Sequence, residues 1–96
     1  MNRPSAIPTV QIDNEHVKVT EWRFPPGGET GWHRHGMHYV VVPITTGELL
    51  LDTPDGEIRS ALKTGISYTR PVGVEHNVIN PNETEFVFVE IELKHG

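Results

Sequence analysis

The sequence predicts an all-β protein, a small antiparallel β-barrel or jelly roll, and three observations carry that prediction. Nine glycines and eight prolines punctuate 96 residues, with breaks recurring every 8 to 12 positions, the spacing of short strands in sandwiches and barrels. Between the breaks, segments are rich in valine, isoleucine and aromatic residues or alternate apolar with polar. No stretch long enough for a stable helix carries a 3.6-residue apolar period.

Taken in order, residues 1–14 alternate poorly and carry Pro4 and Pro8. They read either as an arm that pairs with a second subunit or as a frayed terminus. "HVKVTEWRF" (16–24) is a strand that stops at "PPGGETG". "YVVVPIT" (39–45) is a continuous apolar strand in which Pro43 points to an edge or a bulge. "GELLLDTPDGEIRSAL" (47–62) reads as two strands around Asp55-Gly56, a hairpin signal. "EFVFVEIEL" (85–93) alternates: Val87, Val89, Ile91 and Leu93 share one face, and Glu90 and Glu92 take the other. The whole chain, 1–96, is expected to be a single domain. So small a set of strands has edges to hide, by closing into a barrel or by pairing between subunits, so a homodimer is expected.

Composition removes several function classes. Without cysteine there are neither disulfides nor thiolate ligands. The net charge of −5 comes from 13 acidic and 8 basic residues, and Arg23 and Arg34 belong to no basic run. A nucleic-acid surface needs a clustered basic patch, so no nucleic-acid partner is expected. No apolar run approaches the roughly 20 residues of a membrane span, and "MNRPSAIPTV" lacks the apolar core of a secretion signal. A cytoplasmic protein with no membrane association is expected.

The chemistry concentrates in histidine. His33 and His35 are two apart, so on an extended chain both imidazoles point to one face, the way a strand offers two ligands to one ion. His76 lies far along the chain in "RPVGVEHNVIN", after a Pro-x-Gly turn. Neutral imidazole is the commonest protein metal ligand, and three of them leave coordination positions open for water or substrate.

The spacing of these residues resembles the cupin superfamily. Gly27, His33, His35 and Gly47 stand as in the first cupin motif (27–47). Gly65, Pro71, Gly73, His76 and Asn80 match the second (65–80) at every fixed position. In detail, "YVVVP", "VEHNVIN" and "EFVFVEIEL" look like small bacterial cupins associated with β-alanine degradation. The resemblance implies a barrel with a divalent transition metal bound inside by His33, His35 and His76. Iron is the expected ion, with zinc, nickel, manganese or copper as alternatives. One departure stands out. The first motif expects a glutamate four or five residues after the second histidine, where this chain has Tyr39 and Val40, and the count back from Gly47 favours Val40. His38 is the candidate substitute ligand, although its parity differs from that of His33 and His35; the competing role is a rim histidine that contacts substrate.

Around the histidines, Tyr39, His38 and Asn80 are candidates for proton handling. Tyr39 otherwise packs in the wall, and Asn80 either hydrogen-bonds behind a ligand or serves the turn before Pro81. Met37 shares the histidines' parity and is a candidate for the pocket mouth. Trp32, Arg34 and Glu75 are expected to face outward, Arg70 either attracts an anionic substrate or is solvated, and His16 and His95 are expected in solvent. The many valines suggest a dry, apolar pocket and a small substrate. Three neutral ligands leave the ion's charge uncompensated, which favours an anionic or enolisable partner. The expected function is a metal-dependent dioxygenase acting on such a molecule. The rival readings are a cupin that binds or senses a small molecule without turnover, and a metal-dependent isomerase or lyase.

Overall fold

The computed structural model describes residues 3–95 and is built from strands alone. In chain order these are β1 (Ile7–Asp13), β2 (Val17–Phe24), β3 (His33–Arg34), β4 (His38–Pro43), β5 (Gly47–Thr53), β6 (Gly56–Leu62), β7 (Tyr68–Arg70), β8 (Glu75–Ile79) and β9 (Phe86–Leu93). They form two antiparallel sheets, one in the order β1-β2-β9-β4-β7 and the other β3-β8-β5-β6. Between the sheets lies a core led by Phe24, Tyr39, Leu49 and Phe86, each at most 2% exposed. Phe24 and Phe88 contribute an aromatic pair with ring centroids 5.4 Å apart, a spacing at which rings attract beyond simple burial.

The hairpin read from Asp55-Gly56 joins β5 to β6, with Thr53 opposite Gly56. Gly56 sits at φ +111°, a conformation that side-chain-bearing residues rarely adopt. Pro43 corrects an expectation: β4 is no edge, because it pairs with both β9 and β7. The proline is tolerated because it is the last residue of β4, beyond the three residues that pair with β7. Of the N-terminal arm, Ile7–Asp13 is a strand of the protein's own sheet, paired to β2 with a bulge between Val10 and Ile12. Met1 and Asn2 lie outside the described residues.

β9 decides the character of the interior. Its two faces both look plausible in sequence, one all aliphatic and one mixed. The strand turns the mixed face inward: Phe86, Phe88 and Glu90 are 1%, 5% and 8% exposed, and Glu90 and Glu92 reach the central cavity. Two aromatic rings bury more area than two valines and set the register; the glutamates follow by period two.

Candidate metal centre

The three histidines arrive from two chain segments and meet through strand pairing. β3 and β8 are antiparallel neighbours with His33 directly opposite His76, so one register fixes two imidazoles together. His35 follows β3 by one residue, and its backbone is held by exchange with the β7–β8 turn: His35 N donates to Val74 O and Gly73 N donates to His35 O, both at 2.8 Å. Gly73 makes that turn at φ +95°, which explains the fixed glycine three residues before His76.

The ligand atoms converge. His33 Nε2 lies 3.0 Å from His35 Nε2, which lies 3.1 Å from His76 Nε2, and all three residues offer nitrogens within 4.8 Å of one another. Behind His33, its Nδ1 is 2.9 Å from Gly31 O. A carbonyl only accepts, so Nδ1 carries the proton and Nε2 presents its lone pair to the centre. Gly31 is positioned in turn by Asn77, whose Oδ1 accepts from Gly31 N at 2.9 Å while its Nδ2 donates to Glu29 at 2.8 Å. Burial, reinforced by the neighbouring histidines, holds the pKa of His35 down to about 4. Burial, then His33, then Arg70 do the same for His76, also about 4. At neutral pH both rings are therefore uncharged, the form that binds metal.

The donor set fits a divalent ion. Metal–nitrogen bonds of about 2.1 Å place neighbouring donors about 3.0 Å apart at right angles and about 3.4 Å apart at tetrahedral angles. The two separations that His35 Nε2 makes, 3.0 and 3.1 Å, match the first value.

The missing glutamate has a structural explanation. Tyr39, rather than Val40, points inward from β4; it is 2% exposed and its ring stacks on His35 with centroids 3.9 Å apart and 20° between planes. The motif count favouring Val40 is thereby corrected: a carboxylate at 40 would face away from the cavity. Burial, then the charge of Glu90, pushes the Tyr39 phenol well above its ordinary pKa, so it stays protonated.

Other candidates fall elsewhere. His38 sits outside the barrel, its Nδ1 accepting from Val72 N at 2.9 Å, and with Met37 it lines a separate shallow hollow. Neither reaches the histidine cluster or its cavity: His38 has the parity opposite to His35 and Tyr39, and Met37, which shares theirs, lies in the bend between β3 and β4. Asn80 is fully buried but serves the loops: its Nδ2 donates to Phe24 O, Pro25 O and Thr84 O at 2.9 to 3.3 Å, and its Oδ1 accepts from Asn82. Trp32, Arg34, Glu75, His16 and His95 are exposed, although Arg34 also edges the cavity mouth.

The cavity in front of the histidines has a volume of about 270 Å³. It is not the dry apolar space expected from the valines. Trp22, Tyr39, Tyr68, Val41 and Phe88 form its walls, but Arg70, Glu90 and Glu92 also line it. Arg70 stacks over the Tyr68 ring at 4.6 Å. Burial, then the charge of Glu92, pushes Glu90 up to about 7. The two glutamates escaped the sequence reading. The signal was their phase with Phe86 and Phe88, which marks the inward face.

A barrel of two antiparallel sheets with histidines projecting inward from β3 and β8 defines a cupin. The cupin domain pattern matches residues 20–92, and the chain belongs to that family. Over 92 residues it is 62% identical to the beta-alanine degradation protein BauB of Pseudomonas aeruginosa, covering 96% of this chain and 97% of that protein. Among solved structures, a cupin domain from Bordetella pertussis Tohama I is 78% identical and superposes with a TM-score of 0.98 over 99% of both chains. A double-stranded β-helix protein from Klebsiella pneumoniae is 25% identical, with a TM-score of 0.78 over 94% of this chain and 77% of that one.

Proposed function

We propose that the protein is a metal-dependent enzyme in which His33, His35 and His76 hold a divalent transition ion, and that it acts as an oxygenase on a small molecule seated in the adjoining cavity. The observation that carries this reading is the convergence of three Nε2 atoms at 3.0 and 3.1 Å spacing, with the outer nitrogen of His33 tied to a carbonyl. Imidazoles packed this closely gain little from one another, whereas a cation satisfies all three lone pairs at once. Such an ion supplies Lewis-acid chemistry and, with iron, dioxygen chemistry. The chain's own contribution is to orient the three ring nitrogens, keep His35 and His76 neutral, shield one flank with the Tyr39 ring and leave the other side open to the cavity. Tyr39 borders the cavity, and its hydroxyl, protonated throughout the neutral range, would donate a hydrogen bond to a bound molecule. The likeness to BauB supports a role in β-alanine degradation.

Oxygen uptake by iron-loaded protein tests the reading. Consumption above the rate of free iron is expected with at least one member of a panel of small carboxylates, diketones, thiols and amino acids. Tight binding of one compound with no uptake would instead make the protein a binding module.

We also propose that the protein is a homodimer in the cytoplasm. The support is β1, exposed along its whole length, with Ile7, Val10 and Ile12 at 56%, 52% and 47% exposure, values that a second copy packed on this sheet would reduce. Light scattering is expected to return twice the monomer mass, and Ile12→Lys to shift it toward the monomer.

A further inference from the structure

Glu90 and Glu92 are placed where a protein seldom puts two carboxylates. Glu90 is 8% exposed, stands two residues from Glu92 on the same inward face of β9, and neither forms a salt bridge among the described residues. Arg70 and Arg34 line the same cavity without reaching them. The Trp22 side chain lines the same cavity, and its buried indole N–H has no hydrogen-bond partner among the described residues. Burying an acidic group without a partner is costly, and a second one beside it adds repulsion. Such an arrangement persists when a ligand supplies the missing charge.

We propose that Glu90 and Glu92 form a cation-recognising subsite, so that the molecule bound in the cavity carries a primary amine as well as the group that faces the histidines. The pair comes within 4.8 Å of a nitrogen of His35, but the carboxylate set and the histidine trio share only that residue. The two sets thus adjoin at His35. Their closeness limits the molecule to a few atoms between its two ends, in keeping with about 270 Å³ of cavity. Trp22, Tyr39 and Tyr68 line the same space, and aromatic faces favour an organic ammonium over a second metal ion, which would want oxygen or nitrogen donors there. A zwitterion fits both ends: its carboxylate would complement the cation that the histidines are proposed to hold, and its ammonium the glutamates. This deepens the substrate side of the enzyme reading and rests on it for what the histidines hold.

The test is calorimetric titration of zinc-loaded protein with three probes built on three carbons, 3-aminopropionate, propionate and propylamine, alongside zinc content by mass spectrometry. The amino acid is expected to bind about tenfold or more tightly than propionate, and Glu90→Gln and Glu92→Gln to bring the two within about threefold while zinc content holds at the wild-type value. Equal binding of propionate and the amino acid by the wild type would overturn the proposal. So would loss of zinc in either Gln variant, or a second equivalent of zinc that those variants abolish, because the carboxylates would then be metal ligands. If the wild type takes up no zinc, the enzyme reading fails separately. Propylamine binding to that metal-free protein, lost in Glu90→Gln, would still sustain the amine subsite, and its absence would overturn it.

Discussion

His76→Ala protein is expected to bind a divalent transition metal about 100-fold more weakly than the wild type. A structural site contributes roughly 10 to 16 kcal/mol through all its ligands, so one imidazole accounts for about 3 kcal/mol, and each 1.4 kcal/mol is a factor of ten. The variant should fold, because His76 lines the cavity and its truncation enlarges a space that is already open. Metal content after dialysis, with competition against a chelator of known affinity, measures the effect. His33→Ala and His35→Ala should match it. His38→Ala is the control: its imidazole meets Val72 outside the barrel, so metal content should hold. An equal loss in His38→Ala would place the ion elsewhere, and undiminished metal in His76→Ala would end the three-histidine reading.

Asn80→Ala is expected to destabilise the protein by about 3 kcal/mol or more without weakening metal binding. The side chain is fully buried and serves five contacts, to three carbonyls and to Asn82. Truncation leaves several of those groups buried and unpaired at about 1 to 3 kcal/mol each. For a chain of this length that corresponds to a fall in melting temperature of roughly 15 °C. Urea denaturation measures the stability, and metal content of the folded variant measures the site. Asn80→Asp keeps the acceptor but sets a buried carboxylate against three carbonyl oxygens, so it should be at least as destabilising as Asn80→Ala. A stable Asn80→Ala variant with impaired metal binding would return Asn80 to the role of a group supporting the ligands.

The two expectations separate roles that the motif presents as equivalent. His76 and Asn80 are both fixed positions of one spacing pattern, and parity alone puts them on one face. Strand β8 ends at Ile79, so Asn80 is released from the ladder and turns to the loops around Phe24, Pro25 and Thr84. A pattern records that a residue type is needed at a position; hydrogen-bond partners drawn from distant segments say what for.

The strand content, the hairpin at Asp55-Gly56 and the histidine constellation were all legible in the amino-acid sequence, because each rests on local chemistry: β-branched runs, a turn residue that tolerates positive φ, and ring nitrogens at strand spacing. The fate of the absent glutamate was not. Counting residues favours Val40, but which of Tyr39 and Val40 faces inward depends on how β4 docks between β9 and β7. His38 was an open alternative for the same reason, since only the path of the "HGMH" turn shows that parity survives it.

The largest difference lies on β9. Its alternation is plain in sequence, yet period two is symmetric and names no inner face. The aliphatic face and the face of Phe86, Phe88, Glu90 and Glu92 were both available. Packing against Phe24 and the opposite sheet chose the aromatic rings, and the glutamates were carried into the cavity with them. The sequence by itself determined an all-β chain with three histidines able to meet. Only the tertiary structure decided what faces them, because a strand's inner face is set by the sum of contacts from other strands, which no local pattern contains.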